Sequence, residues 1–288
     1  MKKFYILFII SFLSFTNLFG SSYDTIIKTP NLAGMGNAGI SLGEGINALY
    51  YNPAALAEVE YSEVSASYSF LFSDSLIRYN TLGYYFGDNG DGGIAIGLVS
   101  SGLNGSFSDY SDSFFRNYNE NTILFGYGFN VYNGLSFGVK VKTFMVTTTA
   151  SALGWGVDLG GLYNINNICK LNFLVKNVGL SEIKWTTGNI DVYNTEYDAG
   201  IMISPLPGIN FGFDMYNINE NTFCFNSGIE VWFVKRIAVR TGIYRNLNKD
   251  YVYTFGGSVV FNNLFFEYGI EIYNEISSTQ TIGLDYKF

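Results

Sequence analysis

The amino-acid sequence predicts an all-β fold, an antiparallel up-and-down transmembrane β-barrel of about 14 strands with an N-terminal lumenal hatch. Three observations support it: a signal-like leader, a long region of alternating polar and apolar residues, and an unusual composition. The 288 residues include 26 Phe, 23 Tyr and 33 Gly but only 4 Pro. Aromatic residues favour strands and Pro cannot donate to a sheet ladder, so this composition is typical of β structure. The predicted segments are a signal peptide at 1–22, a hatch or plug at 23–61 and the barrel at 62–288.

The first 22 residues have the layout of a secretory signal peptide. Lys2 and Lys3 precede an apolar stretch from Phe4 to Phe19, and small residues follow at 20–22. Cleavage near Ser22 would place small side chains at the positions that such a site requires. The alternative is a membrane anchor helix, which the short apolar stretch and its polar breaks disfavour.

From residue 62 onward, apolar and polar residues alternate in runs of about ten, the length of a tilted strand that crosses a membrane. In 122–131, for example, Ile123, Phe125 and Tyr127 alternate with Leu124, Gly126 and neighbouring polar or small residues. The predicted strands are 62–72, 77–86, 92–101, 121–131, 135–149, 153–165, 169–178, 195–204, 208–217, 222–233, 236–245, 251–261, 264–273 and 279–288.

The connections between these strands differ in length according to their parity. Most connections after even-numbered strands are short, such as Asn133-Gly134 and Asn262-Asn263, whereas the longest ones, 102–120 and 179–194, follow the third and seventh strands. Short periplasmic turns and longer outer loops are typical of outer-membrane barrels. An even number of strands also places both ends of the barrel chain on the periplasmic side.

The two faces of the strands indicate which kind of barrel forms. Bulky aromatic residues dominate one face, and the other is rich in Gly, in Ser and Asn, and in charged residues. A wide lumen of 14 strands would be filled poorly by aromatic rings, so we expect these rings to face outer-membrane lipid. The alternative, a soluble β-sandwich with its aromatic residues inside, agrees less well with a secretory leader.

The polar face carries seven basic and seven acidic residues. They are Lys140, Lys142, Lys170, Lys176, Arg236, Arg240 and Lys287, and Asp158, Asp198, Asp214, Glu230, Glu267, Glu271 and Asp285. We expect these charges to pair with one another and with the plug; the alternative is a charge-selective pore. Cys224 falls on this face and Cys169 on the apolar face, so a disulfide between them is not expected.

Several classes of function are disfavoured by the sequence. The net charge is −8, which argues against a nucleic-acid partner. The chain has no histidine, so His-based catalytic triads and zinc sites are excluded, and we predict no enzyme activity, catalytic residues, metal or cofactor. Gly34, Gly36 and Gly39 form a GxGxxG pattern, but the strand and helix that a dinucleotide-binding unit requires are missing around it.

The segment 34–57 differs from both the leader and the strands. Asn52 suits the position that caps a helix, Pro53 suits the first helical position, and Ala54 begins a short apolar turn. The glycines before it permit a tight path against another surface. We therefore predict a compact hatch whose ligand or hatch residues are Gly34, Met35, Gly36, Asn47, Leu49, Tyr50, Asn52, Pro53 and Ala54.

The stretches Leu32–Gly39 and Gly45–Leu56 resemble the N-terminal signature of the FadL-like outer-membrane β-barrel superfamily, and they are closest to its PorV/PorQ branch. The resemblance implies a 14-stranded barrel with an N-terminal hatch in the lumen. Asn37 and Ala55 stand where that branch has glycines, and the chain is shorter than typical members.

The resemblance implies a channel for uptake of hydrophobic small molecules through a hatch-gated lumen. The alternatives are a PorV/PorQ-like interaction protein of a secretion (type IX-like) or surface-attachment system, and a plugged structural barrel. The expected location is the outer membrane of a Gram-negative-type bacterium. The last strand ends on Phe288, which resembles the C-terminal signal read by the outer-membrane assembly machinery.

Overall fold

The computed structural model describes residues 29–71, 77–88, 92–103, 118–179, 181–219, 222–245, 250–274 and 278–288. The predicted signal peptide and residues 23–28 of the predicted hatch lie outside these ranges, so their assignment stays a prediction. The described hatch contains four short helices. They are α1 (Pro30–Ala33), α2 (Gly39–Leu42), α3 (Ile46–Tyr50) and the 3-10 helix η1 (Pro53–Glu58). None of the helices in the described part is long and apolar enough to cross a membrane.

The remaining described residues form sixteen strands of one antiparallel sheet. They are β1 (Glu63–Leu71), β2 (Ile77–Asp88), β3 (Gly92–Leu103), β4 (Asn119–Tyr132), β5 (Leu135–Thr147), β6 (Ser151–Asn164), β7 (Cys169–Lys176), β8 (Ser181–Trp185), β9 (Ile190–Tyr193), β10 (Glu196–Leu206), β11 (Ile209–Asn219), β12 (Thr222–Phe233), β13 (Ile237–Arg245), β14 (Tyr251–Phe261), β15 (Leu264–Ile272) and β16 (Thr279–Lys287).

Fourteen of these strands close into a barrel, which confirms the predicted fold class. Each strand pairs with its neighbours in chain order, and β1 pairs with β16 from Glu63 opposite Lys287 to Phe70 opposite Gln280. Strands β5 and β6 also pair, so the described sheet closes on itself. We call the end that holds Glu63 and Lys287 the near end, and the opposite end the far end.

The alternation of side chains gives the barrel an apolar outer wall and a largely polar or small inner wall. On β4, Ile123, Phe125 and Tyr127 are exposed, whereas the intervening residues Leu124 and Gly126 are buried. The same alternation recurs around the barrel, as predicted. Cys169 is partly buried and Cys224 is buried on the inner wall, and both are free thiols.

The region 179–194, predicted as a long connection, contains the hairpin β8–β9 instead. Strand β8 follows β7 after a break at Asn177 and Gly179, which have φ angles of 53° and 79°. It rejoins the wall where Ala152–Gly154 of β6 pair with Ile183–Trp185. The alternation in each of these strands spans only four or five residues, too few to give a clear strand signal.

Arginine substitution at two depths of β4 tests which face meets lipid. Phe125 lies in the middle of the strand and Val131 near its end, and they are 50% and 51% exposed. We expect Phe125→Arg to lower the free energy of unfolding by about 2–4 kcal/mol and Val131→Arg by about 0–1 kcal/mol. Urea unfolding in lipid vesicles measures both, and equal losses would contradict a lipid-facing wall.

Candidate functional site

The hatch, residues 29–61, lies inside the barrel and contacts every wall strand. On twelve of the fourteen wall strands, the contact is made at glycines of the inner wall, which we call the girdle glycines. They are Gly83, Gly93, Gly97, Gly126, Gly128, Gly138, Gly160, Gly200, Gly212, Gly228, Gly242, Gly256, Gly269 and Gly283. A Cβ atom at most of these positions would overlap the hatch. The lumen is therefore filled because the hatch approaches the wall main chain directly.

Gly138 of β5 shows how close this approach is. A Cβ atom on it would overlap the carbonyl carbon of Pro53 and the amide nitrogen of Ala54, which are main-chain atoms that cannot rotate away. The same applies on the opposite wall, where a Cβ atom on Gly256 would lie 2.9 Å from Cα of Gly34. Side chains larger than hydrogen are excluded at such positions.

The two wall strands without a girdle glycine, β1 and β7, hold the hatch through side-chain hydrogen bonds. Glu63 Oε2 accepts from the amide of Ile46 at 3.0 Å, which is the first residue of α3. Asn172 Oδ1 accepts from Asn52 Nδ2 at 3.1 Å. Both contacts are buried, so they fix the rotation of the hatch within the barrel.

The predicted helical turn after Asn52 is present as η1. The Asn52 side chain accepts from the amide of Ala54 at 3.1 Å and Pro53 occupies the first helical position, as the sequence suggested. Asn52 Nδ2 also donates to the carbonyl of Gly161 at 3.3 Å. One asparagine thus caps the helix and ties it to β6 and β7.

The predicted residues Gly34, Met35 and Gly36 pack on β12–β14. Gly36 has a φ of 62°, and its amide donates to Thr254 Oγ1 at 2.8 Å; that hydroxyl donates to the carbonyl of Gly34 at 3.1 Å. Met35 is buried against Gly228. The GxGxxG pattern is therefore a tight turn against the barrel wall.

Asn37, which departs from the family signature, continues this turn with a φ of 54°. Its side chain donates to Glu271 Oε1 at 2.8 Å, and its carbonyl accepts from Asn226 Nδ2 at 2.9 Å. Glu271 also accepts from the hydroxyls of Tyr244 at 2.9 Å and Tyr273 at 3.3 Å. Asparagine tolerates this left-handed conformation and gives the turn an added wall contact.

The predicted residues Asn47, Leu49 and Tyr50 lie on α3, and all three are buried. Leu49 packs against Gly97 and Gly126, and the carbonyl of Tyr50 accepts from Lys140 Nζ at 3.0 Å. Burial raises the pKa of the Tyr50 phenol well above its usual value, and nearby carboxylates add to the rise, so it stays neutral. These placements describe the packing of the hatch; the role of these residues toward a ligand stays a prediction.

Helix α2 is held by one carboxylate of the wall. Asp214 Oδ2 accepts from the amide of Ile40 at 2.8 Å, and Oδ1 accepts from the amide of Ser41 at 3.1 Å. Both donors are free amides of the first helical turn, which a carboxylate satisfies well. Asp214 is buried, and the residues on either side of it, Phe213 and Met215, are exposed on the apolar outer face.

Most lumenal charges pair within the wall, as expected. Asp158 lies 3.0 Å from Lys140 Nζ and 2.8 Å from Lys142 Nζ, and Lys176 Nζ lies 3.0 Å from Asp198. In a second network, Arg240 Nε lies 2.8 Å from Glu230 Oε2, and Arg240 Nη2 lies 3.5 Å from Glu267 Oε1. Buried pairs of this kind fix geometry more reliably than they add stability.

At the near end, the last turn of η1 is fastened by Glu58. Its carboxylate accepts from Lys170 Nζ at 2.9 Å and from Asn164 Nδ2 at 2.9 Å. Tyr85 donates its hydroxyl to the carbonyls of Leu56 at 2.8 Å and of Val59. A recess of about 370 Å³ lined by Glu58 and residues of the β4–β5 turn opens beside this contact.

At the far end, apolar side chains cover part of the lumen. Phe144, Val146, Ala152, Ile183 and Tyr193 form a buried cluster, which we call the far cluster. The rings of Phe144 and Tyr193 stack with centroids 5.0 Å apart. Hairpin β8–β9 supplies two of the five members, so it folds over the inner wall.

The wall beside the far cluster has a local break in its ladder. Residues 155–158 of β6 lie between the segments that pair with β7 and with β8. Among the described residues there, the amide of Val178 donates to the carbonyl of Val157 at 2.8 Å, and the amide of Asn177 donates to the Asp158 side chain at 2.9 Å. On the outer face, Leu153, Trp155, Glu182 and others line a recess of about 360 Å³.

The hatch and the wall are held together by van der Waals contacts and by hydrogen bonds. Within the described ranges, no group of three Cys, Asp or Glu side chains is placed to hold a metal ion. Sequence reasoning expected the charged residues of the polar face, Asp214 and Glu271 among them, to pair with one another and with the plug, and both do bind the hatch. It did not identify which hatch residues they bind, and it missed Thr254 and the far cluster. The excess of glycine on the polar face was the available signal, but it does not say what those glycines contact.

Alanine at a girdle glycine should loosen the hatch. Gly138→Ala places a methyl group on the main chain of Pro53 and Ala54, so we expect a loss of about 1–3 kcal/mol in the free energy of unfolding. Gly161→Ala is the matched control on β6, because the nearest atom to its Cβ is Phe137 at 3.8 Å. Thermal unfolding in detergent compares them, and equal midpoints would refute the close approach.

Removal of the Asn52 side chain tests the anchor of η1. Asn52→Ala removes the cap, which costs about 1 kcal/mol. It also leaves the buried side-chain oxygen Oδ1 of Asn172 without the hydrogen bond from Asn52, which adds about 1–3 kcal/mol. We expect faster hydrogen exchange at the amides of Ala54 and Ala55. Asn133→Ala in the exposed β4–β5 turn serves as control; unchanged exchange in Asn52→Ala would contradict the anchor role.

Comparison with known proteins identifies the fold through structure alone. No family model matches the sequence, and no curated protein sequence matches it. The Ralstonia pickettii toluene transporter TbuX superposes with a TM-score of 0.65 at 12% identity, over 90% of this chain and 98% of that chain. The CymD monoaromatic hydrocarbon channel gives 0.64 at 12% identity over 92% and 98%, and a Pseudomonas aeruginosa FadL homologue gives 0.60 at 12% over 91% and 98%. The chain therefore has the FadL-like barrel fold.

Proposed function

We propose that this protein is an outer-membrane channel for the uptake of hydrophobic small molecules, gated by the hatch. The observation that carries the proposal is that the lumen is filled by a segment outside the sheet. The hatch contributes helices and turns, whereas the ladder runs from strand to strand. The hatch can therefore shift without the loss of a ladder hydrogen bond in the wall.

The fold supports the chemical class of the ligand. The two channels named above carry toluene or monoaromatic hydrocarbons according to their names, and they share this fold over nearly their whole length. Their names also favour transport over catalysis. In this chain, the buried far cluster covers the lumen at its far end and offers apolar side chains to a ligand when it opens. The part of β6 beside it, between the segments that pair with β7 and β8, supplies a route for lateral exit of an apolar ligand into the membrane.

The orientation follows from the connections. Short turns join the strands at the near end, so we assign this end to the periplasm and the far end to the outside of a Gram-negative-type cell. The exposed aromatic wall then faces outer-membrane lipid. Phe288, which follows β16 and is exposed, is available to the assembly machinery.

The signature at Leu32–Gly39 and Gly45–Leu56 favours a second candidate, an interaction protein like those of the PorV/PorQ branch. In that role the barrel would dock a secreted protein or a secretion machine, and the hatch would stay closed. In a plugged structural barrel the hatch would also stay closed to small molecules. Measured uptake of a hydrophobic small molecule therefore distinguishes the channel from both alternatives.

A reversible tether tests the role of the hatch. Glu58→Cys and Lys170→Cys, in a Cys169→Ser and Cys224→Ser background, place two thiols where an ion pair of 2.9 Å now fastens η1, beside an open recess. A short bis-methanethiosulfonate reagent then joins hatch and wall, because each thiolate displaces a methanesulfinate and forms a reducible disulfide. We expect toluene uptake by cells to fall about tenfold and to recover on reduction.

The single-cysteine variants treated with the same reagent are the controls, since they carry the label without the tether. Uptake that is absent in the native protein, or that is unaffected by the tether, would contradict the channel. A stoichiometric protein partner recovered with a barrel that transports no toluene would favour the second candidate.

A further inference from the structure

The chain turns out of β7 at Asn177, which we call the corner. Asn177 has a φ of 53° and is 1% exposed. Residues other than glycine rarely adopt this left-handed conformation, although asparagine tolerates it better than most. Such a conformation persists where the surrounding contacts over-determine it. The shape of the corner therefore depends on the partners of Asn177.

The partners of Asn177 tie the corner to β5, β6 and hairpin β8–β9. Its amide donates to Asp158 Oδ1 at 2.9 Å, and its side-chain oxygen accepts from Lys142 Nζ at 2.9 Å. Three further partners lie where the hairpin begins and just after it ends, and they are Ser181 at 3.4 Å, Asn194 at 3.2 Å and Thr195 at 2.9 Å. The corner thus fixes the hairpin to the wall.

Asp158 and Lys140 extend these contacts to the hatch. Asp158 Oδ1 lies 2.8 Å from Lys142 Nζ, and Asp158 Oδ2 lies 3.0 Å from Lys140 Nζ. Lys140 Nζ also donates to the carbonyl of Tyr50, the last residue of α3, at 3.0 Å. A continuous chain of contacts, which we call the corner network, therefore runs from Tyr50 through Lys140, Asp158 and Lys142 to Asn177.

The wall residues of the corner network are shielded from water. Lys140, Lys142, Asp158 and Asn177 are between 1% and 6% exposed. A buried polar group that loses a partner cannot replace it with water, so the contacts of such a network depend on one another. When the hatch shifts, Lys140 loses the Tyr50 carbonyl and is drawn toward Asp158. A rotation of Asp158 toward Lys140 weakens the contacts of Oδ1, which hold Lys142 and the amide of the corner.

The corner lies beside the proposed lateral exit. The amide of Val178, the residue that follows the corner, donates to the carbonyl of Val157 at 2.8 Å. Residues 155–158 of β6 lie between the segments that pair with β7 and with β8. Release of the corner therefore moves the hairpin away from β6 at a place where no strand pairing with β7 or β8 has to break.

We propose that the corner network couples the hatch to the lateral exit, so that displacement of the hatch releases the corner and opens the wall at residues 155–158. The corner is the element with two arrangements that both sites bias, which is what energetic coupling between distant sites requires. The inference rests on the proposed function, because it assigns a regulation to the same hatch and the same exit.

Hydrogen exchange of single amides in lipid nanodiscs tests the coupling without a ligand. Asn52→Ala loosens η1 next to Tyr50, and we expect the amide of Val178 to exchange at least about fivefold faster than in the native chain. Lys140→Met cuts the network between hatch and corner, and it leaves Asp158 paired with Lys142. In the Lys140→Met background, Asn52→Ala should change exchange at Val178 by less than about twofold.

Lys235→Met is the matched control for the loss of a lysine, because Lys235 is exposed in the β12–β13 turn. In this background the effect of Asn52→Ala on Val178 should persist in full. An amide of Val178 that does not respond to Asn52→Ala, or that responds equally in the two lysine variants, would overturn the proposal. Heat-dependent mobility on gels establishes that each barrel is folded before measurement.

The reverse direction is tested at the corner, so the proposal stays testable even if the lysine variant does not fold. Asn177→Gly keeps the left-handed turn but removes the acceptor of Lys142. Since coupling between two sites is reciprocal, the hatch amide of Tyr51, which donates to the carbonyl of Asn47 at 3.1 Å, should exchange about fivefold faster or more. Asn262→Gly is the matched control, with a φ of 57° in an exposed turn. Equal exchange at Tyr51 in the two glycine variants would contradict the coupling.

Toluene separates this inference from the function on which it rests. In the native chain, we expect toluene to speed exchange at Tyr51 and at Val178 together. Faster exchange at Tyr51 alone contradicts the coupling and leaves the channel standing. Coupling between the variants, with no effect of toluene at either amide, supports the corner network and contradicts the gated channel.

Discussion

The contact between the hatch main chain and the wall main chain is the constraint on which the rest of the structure depends. Each girdle glycine lets a segment of the hatch come within van der Waals distance of a strand, so the lumen of a 14-stranded barrel is filled by only about thirty residues. A single Cβ atom at Gly138 or Gly256 would separate the two surfaces. The glycines therefore determine both where the hatch lies and how completely it closes the barrel.

Close packing alone would hold the hatch permanently in place, but the polar contacts between hatch and wall can be replaced by contacts with water. The hatch is joined to the wall by neutral donors on carboxylates, as at Asp214 and Glu271, and by the cap at Asn52. Such hydrogen bonds exchange with water at small net cost when the lumen is hydrated. The wall ladder is untouched by this exchange, so the barrel stays intact while its contents change.

Much of the fold was predictable from the sequence because period-two alternation continues through the barrel region. Phe125 and Tyr127 on one face, with Gly126 and Gly128 on the other, identify both a strand and its two environments. The cap at Asn52 and the proline at Pro53 were predictable for the same reason, since both act within one turn. The family resemblance supplied the position of the hatch in the lumen.

The remaining features depend on curvature and on contacts between distant residues, which local patterns do not encode. Nothing near Asp214 in the sequence indicates that Ile40 and Ser41 will supply its donors. Hairpin β8–β9 was missed because its strands are short and its apolar residues, Ile183 and Tyr193, find their partners on β5 and β6. The contacts that hold the hatch are therefore apparent only in the folded barrel, where wall and hatch meet.

The central claim is that the hatch moves within an intact barrel when a hydrophobic ligand is present. Glu44 of the hatch and Lys235 of the β12–β13 turn at the near end are both exposed. Spin labels at these two positions report the movement through the distance between them in lipid nanodiscs. The account predicts that toluene adds a second distance population while heat-dependent gel mobility still indicates a closed barrel. A single distance distribution that toluene leaves unchanged would contradict it.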